Sequence, residues 1–239
     1  MLKIEKLTKN FGKITAVKGV TLELNEPSIV GLLGPNGSGK STILRMMCGA
    51  LAPTSGTITI CGHDMALEPM EAKKNLGYLQ ETTILYKELK VGDYLKMVAT
   101  LKRIEKRTLK AELEGVIGAC NLGSVLGKTI GHISKGYRQR VGLAQAILGR
   151  PKVLLLDEPT ASLDPVQAKE INALMRDLAK ESLILLSTHI LSEAAAVCSK
   201  IFVLRAGELK ETVVPLEGNR WKVGDKVGTL DDMIIGMFA

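Results

Sequence analysis

A glycine-rich stretch near the start of the chain carries residue types that are suited to holding phosphate. Residues 31–42 read GLLGPNGSGKST, with an apolar pair before them and an apolar helical pattern after them. Glycines let successive backbone NH groups turn towards one anion, because a side chain would block the approach or forbid the dihedral angles. The pattern GxxxxGK(S/T) between a strand and a helix therefore predicts a phosphate-binding loop.

The side chains of this loop are expected to divide the binding of a nucleoside triphosphate between them. Lys40 supplies a point charge for the β and γ phosphates, and Ser41 offers a hydroxyl to Mg²⁺. The dipole of the following helix adds positive potential. The alternative is a glycine-rich turn whose lysine only reaches water, but all the fixed positions and both flanks agree with the loop. The predicted contacts are Gly34, Pro35, Asn36, Gly37, Ser38, Gly39, Lys40, Ser41 and Thr42.

An acidic pair follows a second apolar run, KVLLLDEP at 152–159. Asp157 is expected at the carboxyl end of a buried strand, where open α/β sheets bind ligands, and would hold Mg²⁺ there. Neighbouring side chains of an extended strand point to opposite sides, so Glu158 is expected to face the water that attacks the γ phosphorus. An exposed acidic turn is the alternative, which the nearby phosphate loop makes less favourable.

Apolar periodicity around these motifs predicts the elements that position them. Short antiparallel strands are expected in residues 1–24 and 53–62, where apolar residues alternate in places. A helix is expected directly after the phosphate loop, because apolar residues there have helical spacing. Those residues are Ile43, Leu44, Met47 and Leu51.

Farther along the chain the apolar period changes twice. In residues 85–150 apolar residues recur every three to four positions, which predicts a helical insert. Asp164 followed by Pro165 is typical of a helix start. Wholly apolar strand patterns alternate with helical ones, which predicts an α/β fold with a doubly wound parallel sheet. The strand patterns lie at 28–34, 152–157, 183–187 and 200–204.

Composition and charge narrow the class of protein. The 239 residues are 46% hydrophobic, enough for a sizeable core, and no apolar run approaches the ~18 residues that cross a bilayer. The four cysteines and three histidines do not cluster, which argues against a zinc site. The net charge of +7 is interpreted as a solvated surface, mainly at 87–110. Aromatic residues that would stack on single-stranded nucleic acid make up only 3%.

Six motifs together resemble those of the ATP-binding cassette (ABC) ATPases, in the same order and spacing, from Leu2 to about Leu209. Besides the two described above, YLQE ends at Glu81 and HISKGYRQRVGLAQAI at 132–147 is similar to the family signature. ASLD at 161–164 resembles the loop after the catalytic carboxylate, and LLSTH ends in His189 at the switch position. Phe11 matches the aromatic residue that stacks on adenine.

The resemblance implies the fold and the domain organisation. The expected fold is an α/β P-loop NTPase with a mostly parallel central sheet, an N-terminal antiparallel β subdomain and an inserted α-helical subdomain. Residues 1–239 would form a single ABC ATPase domain. Its core would comprise 1–84 and 151–210, its helical subdomain 85–150, and a short C-terminal extension 211–239. The tail VGTLDDMIIGMF loosely resembles the ending of one exporter-type group.

The resemblance also implies residue roles. Glu158, His189 and Gln80 would be catalytic, and Gln80 would touch Mg²⁺ together with Ser41 and Asp157. Ser134 and Gly136 of one subunit would close over ATP held by another, and Asp164 would link the two sites. The signature departs from the commonest form LSGGQ, because it reads ISKGY at 133–137. It keeps the serine and the second glycine, whose hydroxyl and backbone NH suit a γ phosphate.

The implied function is that of an ATP-hydrolysing subunit of an ABC transporter, with ATP and Mg²⁺ as cofactors. Its partners would be an integral-membrane permease and a second ATPase subunit, of the same or another sequence, and not nucleic acid. It would sit peripherally on the cytoplasmic face of the cell membrane. The SKGYRQR variant resembles exporter-type systems, which indicates export. The alternatives are a soluble cassette protein acting on a macromolecular partner, and a P-loop kinase, which has no reason to keep SKGYRQR and STH.

Overall fold

The computed structural model describes residues 1–161, 163–216 and 220–229, and two β-sheets organise this part of the chain. Seven α-helices of this part connect or cover the strands. In chain order the elements are β1 (Leu2–Phe11), β2 (Ile14–Leu24), β3 (Ser28–Leu33), α1 (Lys40–Met47), β4 (Ser55–Ile60), β5 (His63–Asp64), α2 (Pro69–Lys74), β6 (Leu76–Leu79), α3 (Val91–Leu101), α4 (Lys106–Ala119), α5 (Lys135–Ile147), β7 (Val153–Asp157), α6 (Pro165–Leu178), β8 (Leu183–Thr188), α7 (Leu191–Val197), β9 (Lys200–Arg205), β10 (Glu208–Leu216), β11 (Arg220–Val223) and β12 (Lys226–Gly228).

The smaller sheet is antiparallel and has the strand order β2-β1-β4-β5. Leu2 and Ile4 are buried while Lys3 and Glu5 are exposed, so one face of the sheet packs against the core and the other meets water. The register of β1 against β2 shifts after Ile4, which interrupts the alternation. The predicted N-terminal antiparallel subdomain is confirmed.

The larger sheet has the order β12-β11-β10-β9-β3-β8-β7-β6. Its five strands β9, β3, β8, β7 and β6 are mutually parallel. The strands β7 and β8 are buried along their whole length, as expected for parallel strands covered on both faces. The predicted α/β fold with a mostly parallel sheet is therefore confirmed, and it places the carboxyl ends of β3, β8 and β7 side by side.

Successive side chains of the central strands enter different halves of the core. On β8, Ile184 and Leu186 pack with the helical side, whereas Leu183 and Leu185 pack with α1 and the smaller sheet. Burying a side chain of this size contributes about 1.5–3 kcal/mol. The continuous apolar runs of the sequence are thus explained by a sheet that has no solvent-facing side at its centre.

The helical insert is confirmed as α3, α4 and α5, while its outer boundaries stay a prediction. The basic residues of the run 102–110 are exposed, as expected for a solvated helix face and its turn. Within that run, Lys102 directs its ammonium to the backbone oxygens of Ala146 and Leu148 at 3.1 and 2.7 Å. These carbonyls belong to the last turn of α5 and the residue after it, so Lys102 closes that helix end.

The helix after the phosphate loop is shorter than predicted. It ends at Met47, so Leu51 lies outside it. Gly49 adopts φ +68 and its NH donates to the Met46 oxygen at 3.0 Å, which is the left-handed arrangement that ends many helices. The short elements α2 and β6 were not predicted from the sequence, because six and four residues give too little periodicity.

The strands β10, β11 and β12 continue the larger sheet in antiparallel fashion from β9. Trp221 and Val223 are buried and join the helical half of the core. The tail resemblance begins in this region but continues from Leu230 outside the described residues, as does Ser162 of the ASLD motif. Among the helices of the described ranges, none is sufficiently long and apolar to span a membrane.

Candidate functional site

The phosphate loop connects β3 to α1 and is tied to the neighbouring strand ends. The NH of Gly34 donates to the Thr188 oxygen at the end of β8, at 3.3 Å. The oxygen of Ser38 accepts from the NH of Gly207 at 3.0 Å. These bonds hold both sides of the loop against β8 and the turn after β9.

The glycines of the loop serve different structural needs. A Cβ at Gly34 would collide with the Leu204 oxygen, and would lie 2.6 Å from the Ser38 hydroxyl. Gly37 has open space around it but adopts φ +80. Gly39 combines both constraints, with φ +108 and the Ala16 oxygen 2.6 Å from where its Cβ would be. Close packing of the loop against the protein is thus a reason for glycine that the motif alone does not reveal.

Lys40 lies inside the loop, and its residue is only 5% exposed. Its Nζ donates to the Gly34 oxygen at 2.7 Å and to the Pro35 oxygen at 3.2 Å. Burial lowers the pKa of Lys40, and the charges of Glu158 and Asp157 oppose that shift. The Ser38 hydroxyl is buried without a hydrogen-bond partner among the described residues. The loop therefore presents a buried cation and an unpaired hydroxyl, both suited to an anionic ligand.

Asp157 ends β7 and is 3% exposed. Its Oδ1 accepts a hydrogen bond from Ser41 Oγ at 3.2 Å and a second, shorter one from Ser187 Oγ. The hydroxyl and the carboxylate meet as the sequence predicts, and they are oxygen donors of the kind that Mg²⁺ prefers. Ser187 was missed, because its only sequence signal is its place before the threonine and histidine of LLSTH.

Glu158 does not continue the extended strand, so the expectation that strand alternation directs its side chain is wrong. It adopts φ +48, a left-handed conformation that costs a side-chain-bearing residue about 1–2 kcal/mol. Its NH donates to the Ser187 oxygen at 3.1 Å. Its Oε1 lies 2.7 Å from His189 Nδ1, so the two predicted residues are in hydrogen-bond contact. The backbone turn, and not strand alternation, therefore directs Glu158.

A cleft of about 250 Å³, the phosphate cleft, lies between the phosphate loop and Glu158. Glu158 lines it, and so does Glu81, which was not predicted although it is the last residue of YLQE. Its negative charge, with those of Glu158 and Asp157, opposes the lowering of the Lys40 pKa by burial. The residues that line the cleft are Ala16, Asn36, Gly37, Gly39, Lys40, Ser41, Thr42, Glu81 and Glu158.

Gln80 is exposed and lines a neighbouring cleft of about 340 Å³ between β6, α2 and α5, not the phosphate cleft. Phe11 is also outside the phosphate cleft. It is 48% exposed at the end of β1, with Lys9 Nζ 5.2 Å from its ring centroid. Phe11 is therefore not a core residue.

The predicted residues of the signature and of the loop before α6 form a second group. Ser134 caps α5 by accepting from the NH of Tyr137 at 3.3 Å, and Gly136 packs directly against the Gln167 side chain. Asp164 caps α6 by accepting from the NH groups of Val166 and Gln167 at 3.0 and 2.9 Å. None of these residues lines the phosphate cleft. The predicted site therefore falls into two separate groups within one chain.

Comparisons with known proteins agree with this architecture. The family model described as ABC transporter matches residues 17–161. The uncharacterized ABC transporter ATP-binding protein YxlF of Bacillus subtilis is 39% identical over 209 residues, which are 87% of this chain and 69% of the relative. A solved ATP-binding subunit of an ABC transporter superposes with a TM-score of 0.82 at 28% identity, covering 100% of this chain and 93% of that one.

A dimeric structure of MJ0796, a bacterial ABC transporter cassette, gives a TM-score of 0.80 at 25% identity, covering 89% of this chain and 97% of that chain. The fold, the phosphate loop and the acidic strand end thus coincide with a family match over more than half of the sequence. The chain belongs to the ABC transporter family, and it is an ATP-binding cassette ATPase.

Proposed function

We propose that this ATPase is the nucleotide-binding subunit that powers a separate membrane permease through ATP-driven dimerisation. The observation that carries the proposal is the division of the site into two groups. The phosphate cleft contains Lys40, Ser41 and Glu158, whereas Ser134 and Gly136 at the start of α5 do not line it. A second subunit that brings its own α5 N-terminus over the cleft would complete each site, because backbone NH groups at a helix start attract phosphate.

Within the cleft, the loop from Gly34 to Thr42 would bind the phosphates of ATP. The Lys40 ammonium already points into the loop, where phosphate oxygens would compete with the Gly34 and Pro35 oxygens for its protons. Ser41 and Asp157 would hold Mg²⁺, which when bound neutralises charge on the phosphates. The hydrogen bond from Ser187 orients the carboxylate of Asp157 for that purpose.

Glu158 would accept a proton from the attacking water on a carboxylate oxygen. His189 Nδ1 lies 2.7 Å from Oε1 of Glu158, which fixes the carboxylate and leaves Oε2 for the water. Gln80 would enter the site only after a movement of the loop that follows β6, since it now lines the neighbouring cleft. Phe11 would stack on adenine, and its exposed ring is accessible for that contact.

The surface beside Gln80 supports a membrane partner. Three large apolar side chains, Ile84, Tyr86 and Leu101, are exposed, and Ile84 lines the neighbouring cleft. Exposed apolar residues next to a groove are typical of protein docking sites. We place the permease there, with the ATPase on the cytoplasmic face of the membrane. The SKGYRQR form of the signature favours export.

The substitution Glu158→Gln tests the hydrolytic assignment. It preserves the shape of the side chain but removes the proton acceptor, so turnover should fall by about 10²–10⁴-fold while ATP still binds. Because hydrolysis would then no longer open the pair, a dimer should accumulate with ATP in size-exclusion chromatography. Glu81→Gln, which removes the other carboxylate of the cleft, is the matched control and should retain turnover.

Undiminished turnover of Glu158→Gln would refute the role of that residue. A variant that binds ATP and lacks turnover yet remains monomeric, also beside its permease, would refute dimerisation. The permease assignment is tested by detergent extraction and affinity capture of the native complex. Recovery of a ribosomal or other soluble assembly instead of a polytopic membrane protein would favour the alternative function.

A further inference from the structure

One buried amide joins three segments of the site. Gln139 lies in the second turn of α5 and is 7% exposed. Its Nε2 donates to the Pro159 oxygen at 3.0 Å, and its Oε1 accepts from Thr83 Oγ1 at 3.1 Å. A backbone carbonyl can only accept a hydrogen bond, so the amide has one possible orientation. The amide nitrogen and the amide oxygen of Gln139 are therefore both hydrogen-bonded.

The two partners of Gln139 adjoin the residues that the proposed mechanism needs. Pro159 directly follows Glu158, and its oxygen is the only backbone hydrogen-bonding group of that residue, since proline has no NH. Thr83 lies three residues after Gln80 in the loop that follows β6. Gly142, one turn farther along α5, leaves room for the same threonine, because a Cβ there would collide with Thr83 Cγ2.

The strained backbone of Glu158 makes this anchor important. A left-handed conformation of a non-glycine residue persists only where the surroundings fix it. The bonds of the Glu158 NH to Ser187 and of its carboxylate to His189 fix one side of the turn. The Gln139 amide holds the carbonyl of the following residue, Pro159, to α5.

We infer that Gln139 is a positioning residue for hydrolysis, which couples the placement of α5 and of the loop after Gln80 to the orientation of Glu158. The inference rests on the proposed role of Glu158 and goes beyond it. Ser134 caps α5 and Gly136 lies in its first turn. A shift of that helix would therefore be transmitted to the carboxylate of Glu158 through the side chain of Gln139. Gln139 itself touches neither ATP nor water in this scheme.

The test compares Gln139→Met, which has a similar length but no hydrogen-bonding amide, with the pair Thr83→Val and Thr83→Ser. We expect kcat of the full chain to fall about tenfold in Gln139→Met while KM for ATP changes less than about twofold. Thr83→Val should lower kcat by a smaller factor. Thr83→Ser keeps the hydroxyl and should therefore retain the wild-type kcat. A purely steric role of the Thr83 side chain would not predict that result.

Ser182→Ala is the matched control. Ser182 Oγ donates to the Pro151 oxygen at 2.8 Å, so this variant also removes a buried hydrogen bond to a proline carbonyl, but at the amino ends of β7 and β8. It should lose thermal stability without a change in kcat. A Gln139→Met variant that loses stability like Ser182→Ala and keeps its kcat would overturn the inference.

A double variant separates this inference from the proposed function. If Gln139 acts through Glu158, then adding Gln139→Met to Glu158→Gln should not lower the residual turnover further. A full additional tenfold loss would contradict the coupling. If Glu158→Gln is inactive but Gln139→Met and Thr83→Val have wild-type kcat, only the positioning role fails. If Glu158→Gln has wild-type turnover, the proposed function fails first.

Discussion

Alanine substitutions at Gly34 and Gly37 separate close packing from backbone conformation in the phosphate loop, and Gly115→Ala in α4 is the control. At Gly34 an added methyl group would collide with the Leu204 oxygen, although the residue is not in a left-handed conformation. At Gly37 the methyl group would meet no atom within 4 Å, but φ is +80. At Gly115, in the exposed part of α4, neither constraint applies. Gly34→Ala therefore tests close packing alone, and Gly37→Ala tests backbone conformation alone.

The expected effects on stability follow from these geometries. Overpacking against a backbone atom costs about 3 kcal/mol for Gly34→Ala, because β9 cannot withdraw without leaving β3. The left-handed conformation alone costs about 1 kcal/mol for Gly37→Ala. Gly115→Ala should stabilise the helix by about 0.5–1 kcal/mol. For a chain of this size, 1 kcal/mol corresponds to about 2–4 °C in Tm.

Thermal unfolding of the nucleotide-free proteins by circular dichroism measures the series. The Tm should fall by about 6–12 °C for Gly34→Ala and about 2–4 °C for Gly37→Ala, and should rise slightly for Gly115→Ala. Equal losses for Gly34→Ala and Gly37→Ala would show that contact with Leu204 does not require glycine at position 34. A destabilised Gly115→Ala would contradict the open space around Gly115.

Two further variants probe the charges and caps of the site. Glu81→Gln removes a carboxylate that shares the cleft with Lys40, so it should tighten binding of a fluorescent ATP analogue about two- to fivefold at low salt, and less at high salt. Weaker binding would mean that Glu81 assists the nucleotide. Asp164→Ala removes the acceptor for the NH groups of Val166 and Gln167 and should cost about 1 kcal/mol in chemical denaturation, whereas Asp164→Ser should retain that stability. If Asp164→Ser also retains full cooperative turnover, Asp164 does not link the two sites.

The sequence was sufficient for the architecture because the relevant signals are local. The alternation in β1, the apolar runs of β7 and β8 and the Asp164 cap each depend on residues within a few positions of each other. The phosphate loop is local for the same reason. Even the early end of α1 had a local signal in Gly49, which the apolar spacing of Leu51 concealed.

The unpredicted features of the site depend on residues that are far apart in the chain. The bond from Ser187 to Asp157 spans 30 residues, and the contact of Gly34 with Leu204 spans many more. No periodicity encodes such contacts, because they arise only when the strands pair. The left-handed turn at Glu158 is likewise contrary to what an apolar strand with an acidic end predicts. Its surroundings override the local preference.

The order of the strands also fixes the distance between two parts of the site. Because β8 lies between β3 and β7, the phosphate loop and the carboxylate of Asp157 start from strands that are two inter-strand steps apart. Each step is about 4.8 Å and is fixed by backbone hydrogen bonds, whatever the side chains are. Substitutions at the strand ends can therefore alter the chemistry of the groups displayed there while the distance between their supports, about 10 Å, remains constant.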